Sequence, residues 1–367
     1  MNARRTEDNA AISSRRNEAA PEKSGGAGIL VLNAGSSTLK YALYDAAGQA
    51  MQRGKLEHDG SVDDFCRGLA GLLGSLGDLR IRAIGHRVVH GGKDYGAPIL
   101  LDADHIAALR RLTPLAPLHQ PHNLAGIDAI TRLLPDLPQV ACFDTAFHHD
   151  QPPLARHLGL TRELHEAGVR RYGFHGLSYE YIAAQLPQHL GAAADGRVIV
   201  AHLGSGASLC ALRERRSVAT TMGFSTLDGL LMATRCGSLD PGVLLYLMQT
   251  HNMDTAAHAD LLYQRSGLLG VSGLSGDMRT LQASGDPAAR EAIDLFCYRI
   301  CREAGSLAAA LGGVDALVFT GGIGEHAHAI RERICAGLAW LGTDLITLTL
   351  ATDEERVIAQ HTARLCT

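Results

Sequence analysis

The chain has one tryptophan, 5% aromatic residues, no basic excess and no C-x-x-C pair among its eight cysteines. Each shortage excludes something. Eight scattered thiols, the nearest being Cys297 and Cys301 one helical turn apart, exclude a disulfide framework and a zinc ribbon and point to a reduced, cytoplasmic setting. A net charge of −4 offers nothing to a nucleic-acid backbone. No apolar run approaches the ~18 residues of a membrane span, so no membrane partner is expected. The Walker pattern G-x-x-x-x-G-K-[ST] is missing, and no G-x-G-x-x-G follows the first strand, which disfavours a dinucleotide fold.

What remains is ordinary globular composition, 46% hydrophobic and 20% charged, over 367 residues. That length suits two domains at ~100–200 residues each. Residues 1–26 are polar, poor in large apolar side chains, and end at Gly25-Gly26. Arg15-Arg16 is not followed by the hydrophobic segment of an export signal, so this stretch is expected to be a disordered tail.

The folded part starts at Ile29. The run Gly28 to Leu32 reads as a buried strand entering Asn33-Ala-Gly-Ser-Ser-Thr-Leu-Lys40, with a second strand over Tyr41 to Tyr44 and a turn over Asp45 to Gly48. The second half repeats this: Arg197 to Ala201, then His202-Leu-Gly-Ser-Gly-Ala-Ser208, then Leu209 to Leu212. A gapless overlay sets His202 on Asn33, Gly204 on Gly35 and Leu212 on Leu43, which suggests an internal duplication. A third strand, Ala316 to Thr320, meets a glycine turn, Gly321-Gly-Ile-Gly-Glu325, before a helix with the apolar face Ala327, Ile330, Ile334 and Leu338. Further helices are expected at 103–111, 121–134, 178–190 and 287–311. Strands alternating with helices predict an α/β protein of two lobes around a cleft.

Glycine/serine turns leaving strands present backbone N–H groups and hydroxyls to an anion. Two copies in register plus a third weigh against ligand-free hairpins. Arg87 in Gly85-His-Arg-Val-Val-His-Gly-Gly92 and Arg235 in a glycine-bearing loop can grip a carboxylate or phosphate with paired hydrogen bonds, although a surface ion pair is the commoner fate of a lone arginine. Asp144, flanked by Phe143, Ala146 and Phe147, needs a partner if buried. His175 stands between glycines, and alone it would more often be structural. Thr352-Asp-Glu-Glu355 offers hard oxygens for Mg2+, or simply caps a helix. His119 with His122, and His148 with His149, have no third ligand at zinc spacing.

These segments together resemble the acetate kinase family, within the sugar kinase/Hsp70/actin superfamily. The likeness spans Ile29 to about Arg364 through VLNAGSSTLKYALYD, GHRVVHGG, PLAPLH, FDTAFH, RYGFHGLS, AHLGSGAS, SGDMR, FTGGIGEH and TDEE. The resemblance implies two duplicated ribonuclease H-like lobes. The first would take 27–148 plus 354–367, and the second 149–353. It implies Mg-ATP-dependent phosphorylation of acetate to acetyl phosphate by direct in-line transfer, in a homodimer. Mg2+ (Mn2+ as substitute) would sit on Asn33 and Glu354, with Ser36, Ser37 and Lys40 in the first phosphate loop. ATP would contact Lys40, His202, Leu203, Gly204, Ser205, Gly206, Asp277, Met278, Arg279, Gly321, Gly322, Ile323, Gly324 and Glu325. Arg87, Asp144, His175 and Arg235 would be catalytic, and Arg87, Val89, Leu118 and Phe174 would hold the acid. Ser205, Thr226, Cys236 and Ser238 depart from the family pattern, where Asn, Pro, Ser and Asp are common. The rival substrates are propionate and butyrate; the rival class is an actin- or Hsp70-like ATP-binding protein, which needs neither arginine nor the GFHG segment.

Overall fold

The computed structural model describes residues 28–35, 37–76, 80–342 and 344–366. The tail and Ser36 lie outside the described residues. Eleven strands form two sheets among them. The first holds β1 (Gly28–Ala34), β2 (Thr38–Tyr44), β3 (Ala50–Glu57), β4 (Ile81–Val88), β5 (Ile99–Leu100) and β6 (Gln139–Phe143), in the order β3-β2-β1-β4-β6-β5. The second holds β7 (Arg197–Leu203), β8 (Ala207–Arg213), β9 (Arg216–Thr220), β10 (Ala316–Thr320) and β11 (Ile346–Thr349), in the order β11-β10-β7-β8-β9. In both sheets three antiparallel strands lead into two parallel ones, so the duplication extends to topology. The first sheet adds only the short edge strand β5.

The gapless overlay needs one correction. Ala34 pairs with Leu39 across the first turn, whereas Leu203 pairs with Ala207 across the second, so the second turn is one residue shorter. In register, Leu43 therefore matches Ala211, not Leu212. A tighter turn followed by the same pleat moves every later side chain by one position.

Both sheets are covered on both faces, which is why β1 and β7 read as unbroken apolar runs. On the first sheet, the helices Val62–Ser75 and Gln120–Leu133 bury Phe65, Leu69, Ala129 and Ile130 against Leu30 and Leu32. The helix Glu354–Leu365 covers the opposite face, and its approach is close: a Cβ on Gly85 would meet Ile358 at 2.5 Å and collide with the Thr362 hydroxyl. On the second sheet, the helix Pro287–Leu311 sets Phe296 and Ile300 against Ala201 and Leu209. Its other face takes the helix Gly176–Leu190, which serves both halves: Leu177 joins Ile29, Val31 and Val357, while Tyr179, Ile182 and Leu186 join Val198 and Val200. Glu180 also meets His361 of the last helix at 2.7 Å.

The expected glycine turn after β10 is itself helical. Helix begins at Gly321, breaks at Ala327 and resumes over His328–Gly337. Gly321 makes this possible at φ +77°, with its α-carbon against the Leu203 backbone, a place no side chain fits. Ile330, Ile334 and Leu338 are buried as their spacing predicts, although Leu338 lies just past the helix end.

Candidate active site

Strands β1, β4 and β6 run parallel, so their carboxyl ends open onto one crevice, where open α/β sheets place ligands. Asn33, Arg87 and Asp144 stand at those ends. Arg87 grips Asp144 with a fork, Nε donating to Oδ1 at 2.9 Å and Nη2 to Oδ2 at 2.6 Å, while Nη1 donates to Asn33 Oδ1 at 3.1 Å. Asp144 is 2% exposed, so this pairing is what makes its burial tolerable. Glu354, in the first turn of the last helix, lies 4.0 Å from Arg87 Nε. Loss of solvent, and then Asp144 and Glu355 nearby, raise its carboxyl well above the usual range despite Arg87. Its neighbour Asp353 takes the capping role, accepting from Arg356 N and pairing with Arg53 at 2.6 Å.

The second half enters through the Asp144 carbonyl, which accepts from Gly176 N at 2.8 Å. That bond pins the start of the helix Gly176–Leu190, where His175 is the cap residue at φ +59°, a left-handed conformation held by its surroundings. His175 Nδ1 meets Ser208 Oγ at 2.8 Å, and its ring stacks on His202 with centroids 4.3 Å apart. His202 Nδ1 in turn meets Ser178 Oγ at 2.8 Å. Burial, then His202, Arg235 and Arg87, hold His175 far below its ordinary value. His202 is pulled to about 4 by burial and Arg87. Both rings are neutral at physiological pH.

Arg235 comes from a loop tied to the second glycine/serine turn, since Ala233 N donates to Ser205 O at 3.0 Å. Its Nη1 donates to the Thr226 carbonyl at 2.8 Å, and among the described residues no carboxylate pairs with it. Burial, with Arg87 close by, brings its guanidinium down to about 10. Gly206 marks where the groups converge: a Cβ there would lie 2.6 Å from Arg235 Nη2 and 3.1 Å from His175 Nε2. The centre thus holds one arginine already neutralised, one without a counter-ion, and a neutral imidazole between them. It is built to receive an anion.

Beside it lies a cleft of about 410 Å³. Gly204 and Ser205 form one wall, Asp277, Met278 and Arg279 a second, and Gly322 and Ile323 a third.

A model of the acetokinase family matches residues 74–366. The acetate kinase of Rhodopseudomonas palustris is 52% identical over 389 residues, covering 92% of this chain and 98% of that one. The chain belongs to the acetokinase family. Another relative, the acetate kinase of Nitrobacter hamburgensis, is 47% identical over 388 residues, covering 92% of this chain and 96% of its own. Two solved structures share the fold: a propionate kinase from Francisella tularensis (TM-score 0.87, 35% identity, 92% of this chain and 100% of that one) and the acetate kinase of Porphyromonas gingivalis (TM-score 0.83, 33% identity, 93% and 100%). The architecture is accordingly the two-lobed actin/Hsp70-like fold.

Within this acetokinase-family chain, several expected residues stand apart from the convergence. Leu203 is fully buried inside β7, and Met278 is 3% exposed, so only their backbones face ligand space. Glu325 is engaged at home, Oε1 accepting from Gly321 N at 3.1 Å and from Thr352 N at 3.4 Å. Gly324 is buried in the short helix, against the β10 backbone. Lys40 is exposed on β2, close enough to Glu354 to be felt electrostatically; Ser37 is exposed in the turn. Val89 and Phe174 are buried together with Ala116, whereas Leu118 is 39% exposed. Asp277 and Arg279 pair with each other at 2.7 Å.

Sequence reasoning missed others. Gln282 and Ala327 line the cleft, as does His326, which closes FTGGIGEH but was given no role by it. His119 closes PLAPLH, yet the resemblance assigns it no role; burial, then Arg235 and Arg87, push it to about 4, which places it near both arginines. Of the departures from the family pattern, Thr226 contributes its carbonyl to Arg235. Ser238 Oγ donates to Asp228 Oδ1 at 2.8 Å, and Asp228 is held by Arg171 at 3.1 Å.

Among the described residues no three His, Cys, Asp or Glu side chains cluster as a metal cage. The donor set of Asn33 and Glu354, with Asp144 beside them, is hard oxygen with too few ligands to dehydrate a cation fully. That suits Mg2+, which keeps waters and takes phosphate oxygens as further ligands.

Proposed function

We propose that the chain is an acetate kinase, moving the γ-phosphoryl group of Mg-ATP to the acetate carboxylate and back. The observation that carries this reading is Arg235, a largely buried guanidinium with no carboxylate partner among the described residues, facing neutral His175 across Gly206. A carboxylate is already a nucleophile, so the site needs no strong base. Its task is to bring two anions together and to neutralise charge spread over the equatorial phosphoryl oxygens. Arg87 orients the acid while Asp144 holds its fork in place. Arg235 and His175 take the phosphoryl oxygens, and the turn from His202 to Gly206 the ATP phosphates. Val89 and Phe174 wall the methyl pocket, with Leu118 at its exposed rim. The cleft at Asp277–Arg279 and Gly322–Ile323 takes the adenosine. Asn33 and Glu354 would hold Mg2+ (or Mn2+), which supplies Lewis-acid charge neutralisation when bound.

The relatives named acetate kinase favour acetate, and the propionate kinase neighbour marks propionate as the alternative acid. The cytoplasm is the expected location; among the described residues no helix is long and apolar enough to cross a membrane. The lobes are read as 27–148 plus 354–367 and 149–353. A homodimer is supported by the helix Pro241–His251, whose Val243, Leu245, Tyr246 and Met248 are all exposed.

The test is hydroxamate trapping of acyl phosphate from Mg-ATP with acetate, propionate or butyrate, using Arg235→Met as control. Product with acetate, lost in the variant, supports the kinase. ATP binding without product from any acid would overturn it in favour of an actin- or Hsp70-like binding protein.

A further inference from the structure

We propose that Tyr179 and Ser208 form a directed hydrogen-bond chain that fixes the tautomer of His175, keeping its Nε2 protonated and presented to the transferring phosphoryl group. The proposal deepens the kinase reading and rests on it for the identity of the acceptor.

The geometry is a line of three polar groups sealed from solvent. Tyr179 Oη meets Ser208 Oγ at 2.5 Å, and Ser208 Oγ meets His175 Nδ1 at 2.8 Å. Tyr179 and Ser208 are both 0% exposed, so water cannot complete either group. Three proton arrangements fit those distances, and one of them, with the phenol and Nδ1–H both donating to Ser208, strands the Ser208 proton, which leaves two. In one, the phenol donates to Ser208, whose hydroxyl donates to Nδ1, and the imidazole proton resides on Nε2. In the other, Nδ1–H donates to Ser208, whose hydroxyl donates to the phenol oxygen. The second strands the phenol proton, because no acceptor other than Ser208 lies within hydrogen-bond distance of Tyr179 among the described residues. Buried donors left unmade are costly, so the first arrangement prevails. The phenol is well able to donate, since burial keeps it protonated far beyond its ordinary range.

The far end of the chain fits this direction. His175 Nε2 faces the space above Gly206 that Arg235 Nη2 also borders. A phosphoryl oxygen there accepts from a protonated Nε2 and is repelled by a bare lone pair. A neutral imidazole with a free choice of tautomer would present the wrong nitrogen part of the time. Tyr179 and Ser208 touch no substrate position and act through His175 alone, as positioning residues. Both sit on elements that cannot drift: Tyr179 one helical turn into Gly176–Leu190, Ser208 within β8 opposite His202.

The test reads the tautomer directly in the intact protein. Multiple-bond 1H–15N spectra of [15N]histidine-labelled enzyme give both ring nitrogens, with His175 identified by its disappearance in His175→Gln. The resting wild type is expected to show a single neutral tautomer, Nε2 protonated and Nδ1 an acceptor. Tyr179→Phe frees the Ser208 hydroxyl to accept, so the tautomers mix. In that variant kcat falls about 10–100-fold while KM for both substrates stays within about twofold. Ser208→Ala has the same effect, and Ser208→Thr, which keeps the hydroxyl, retains wild-type behaviour. Nδ1 protonated in the wild type overturns the proposal, as does Tyr179→Phe with an unchanged tautomer and full kcat. If Tyr179→Phe fails to fold, the wild-type tautomer decides alone. Absence of acyl phosphate from every acid would remove the kinase reading instead, without touching the tautomer.

Discussion

Two arginines share one centre, and replacing them should move stability in opposite directions. Arg235 is largely buried, its one hydrogen-bond partner among the described residues is a carbonyl, and its guanidinium falls well below its usual range to about 10. A lowered pKa on a basic group means that the folded state disfavours its charge. The penalty is full below about pH 10 and disappears only in strong alkali. At about 1.4 kcal/mol per unit this is about 3 kcal/mol for a fully desolvated charge. Partial exposure, the packed stem and the bond to Thr226 all subtract from what its removal returns. Arg235→Met should therefore stabilise the ligand-free protein by about 1 kcal/mol, or about 2 °C in Tm. Arg87 is the reverse case, because removing it leaves the Asp144 carboxylate buried and alone. Arg87→Ala should cost about 3 kcal/mol. Differential scanning calorimetry on both variants, with and without Mg-ATP, measures these signs. Wild type should gain stability on adding Mg-ATP, whereas Arg235→Met should lose most of that gain together with turnover. An Arg235→Met protein that is markedly less stable than wild type when ligand-free, yet still responds fully to nucleotide, would refute the view that this residue awaits an anion.

Gly206→Ala places a methyl between Arg235 and His175, so kcat should fall about 100-fold with little change in melting temperature, read by steady-state kinetics and calorimetry. Val89→Ala enlarges the acyl pocket, and the ratio of kcat/KM for propionate over acetate should rise about tenfold. Acid should destabilise the fold well before carboxylates protonate. His86, His90, His119, His148 and His202 each sit near 4, pulled down first by burial, so they stay neutral in the native state while the unfolded chain takes up protons below its own value near 6.5. Stability should fall as pH drops from about 6.5 toward 4, by about 1 kcal/mol per histidine between pH 7 and 5.5, checked by urea titrations across that window.

The strands were legible because both sheets are buried on both faces. Runs such as Ile29 to Leu32 and Ala316 to Thr320 carry that burial in their composition. The length of the second turn was not legible, since Ser-Gly and Ser-Ser turns of three or four residues look alike until their flanking strands pair. Arg87, Asp144, His175 and Arg235 were picked out by motif. Their division of labour was not, because the difference between the two arginines is the presence of Asp144 beside one of them, and that is a fact of three dimensions. Leu203, Met278 and Glu325 show the opposite limit. Each sits inside a matching motif, yet its side chain packs the core or holds a backbone turn. Gln282 reaches the site from a position no motif marks, while His119 and His326 end the PLAPLH and FTGGIGEH segments without any spacing that says what they would face.

The close seat of the last helix on Gly85 also bears on how the chain matures at the ribosome. Ile358 and Thr362 cover a sheet whose strands were made more than two hundred residues earlier, and the same helix brings Glu354. Until that segment emerges, the face formed by Ile29, Val31, Val140 and Cys142 is covered only in part, by Leu177 of the helix Gly176–Leu190. The first sheet, although translated early, must wait with part of that apolar face open until the last helix is made, a span in which chaperones would find it. Completion of that fold and assembly of the proposed cation site then arrive together, so a nascent chain can acquire that chemistry only once both lobes exist.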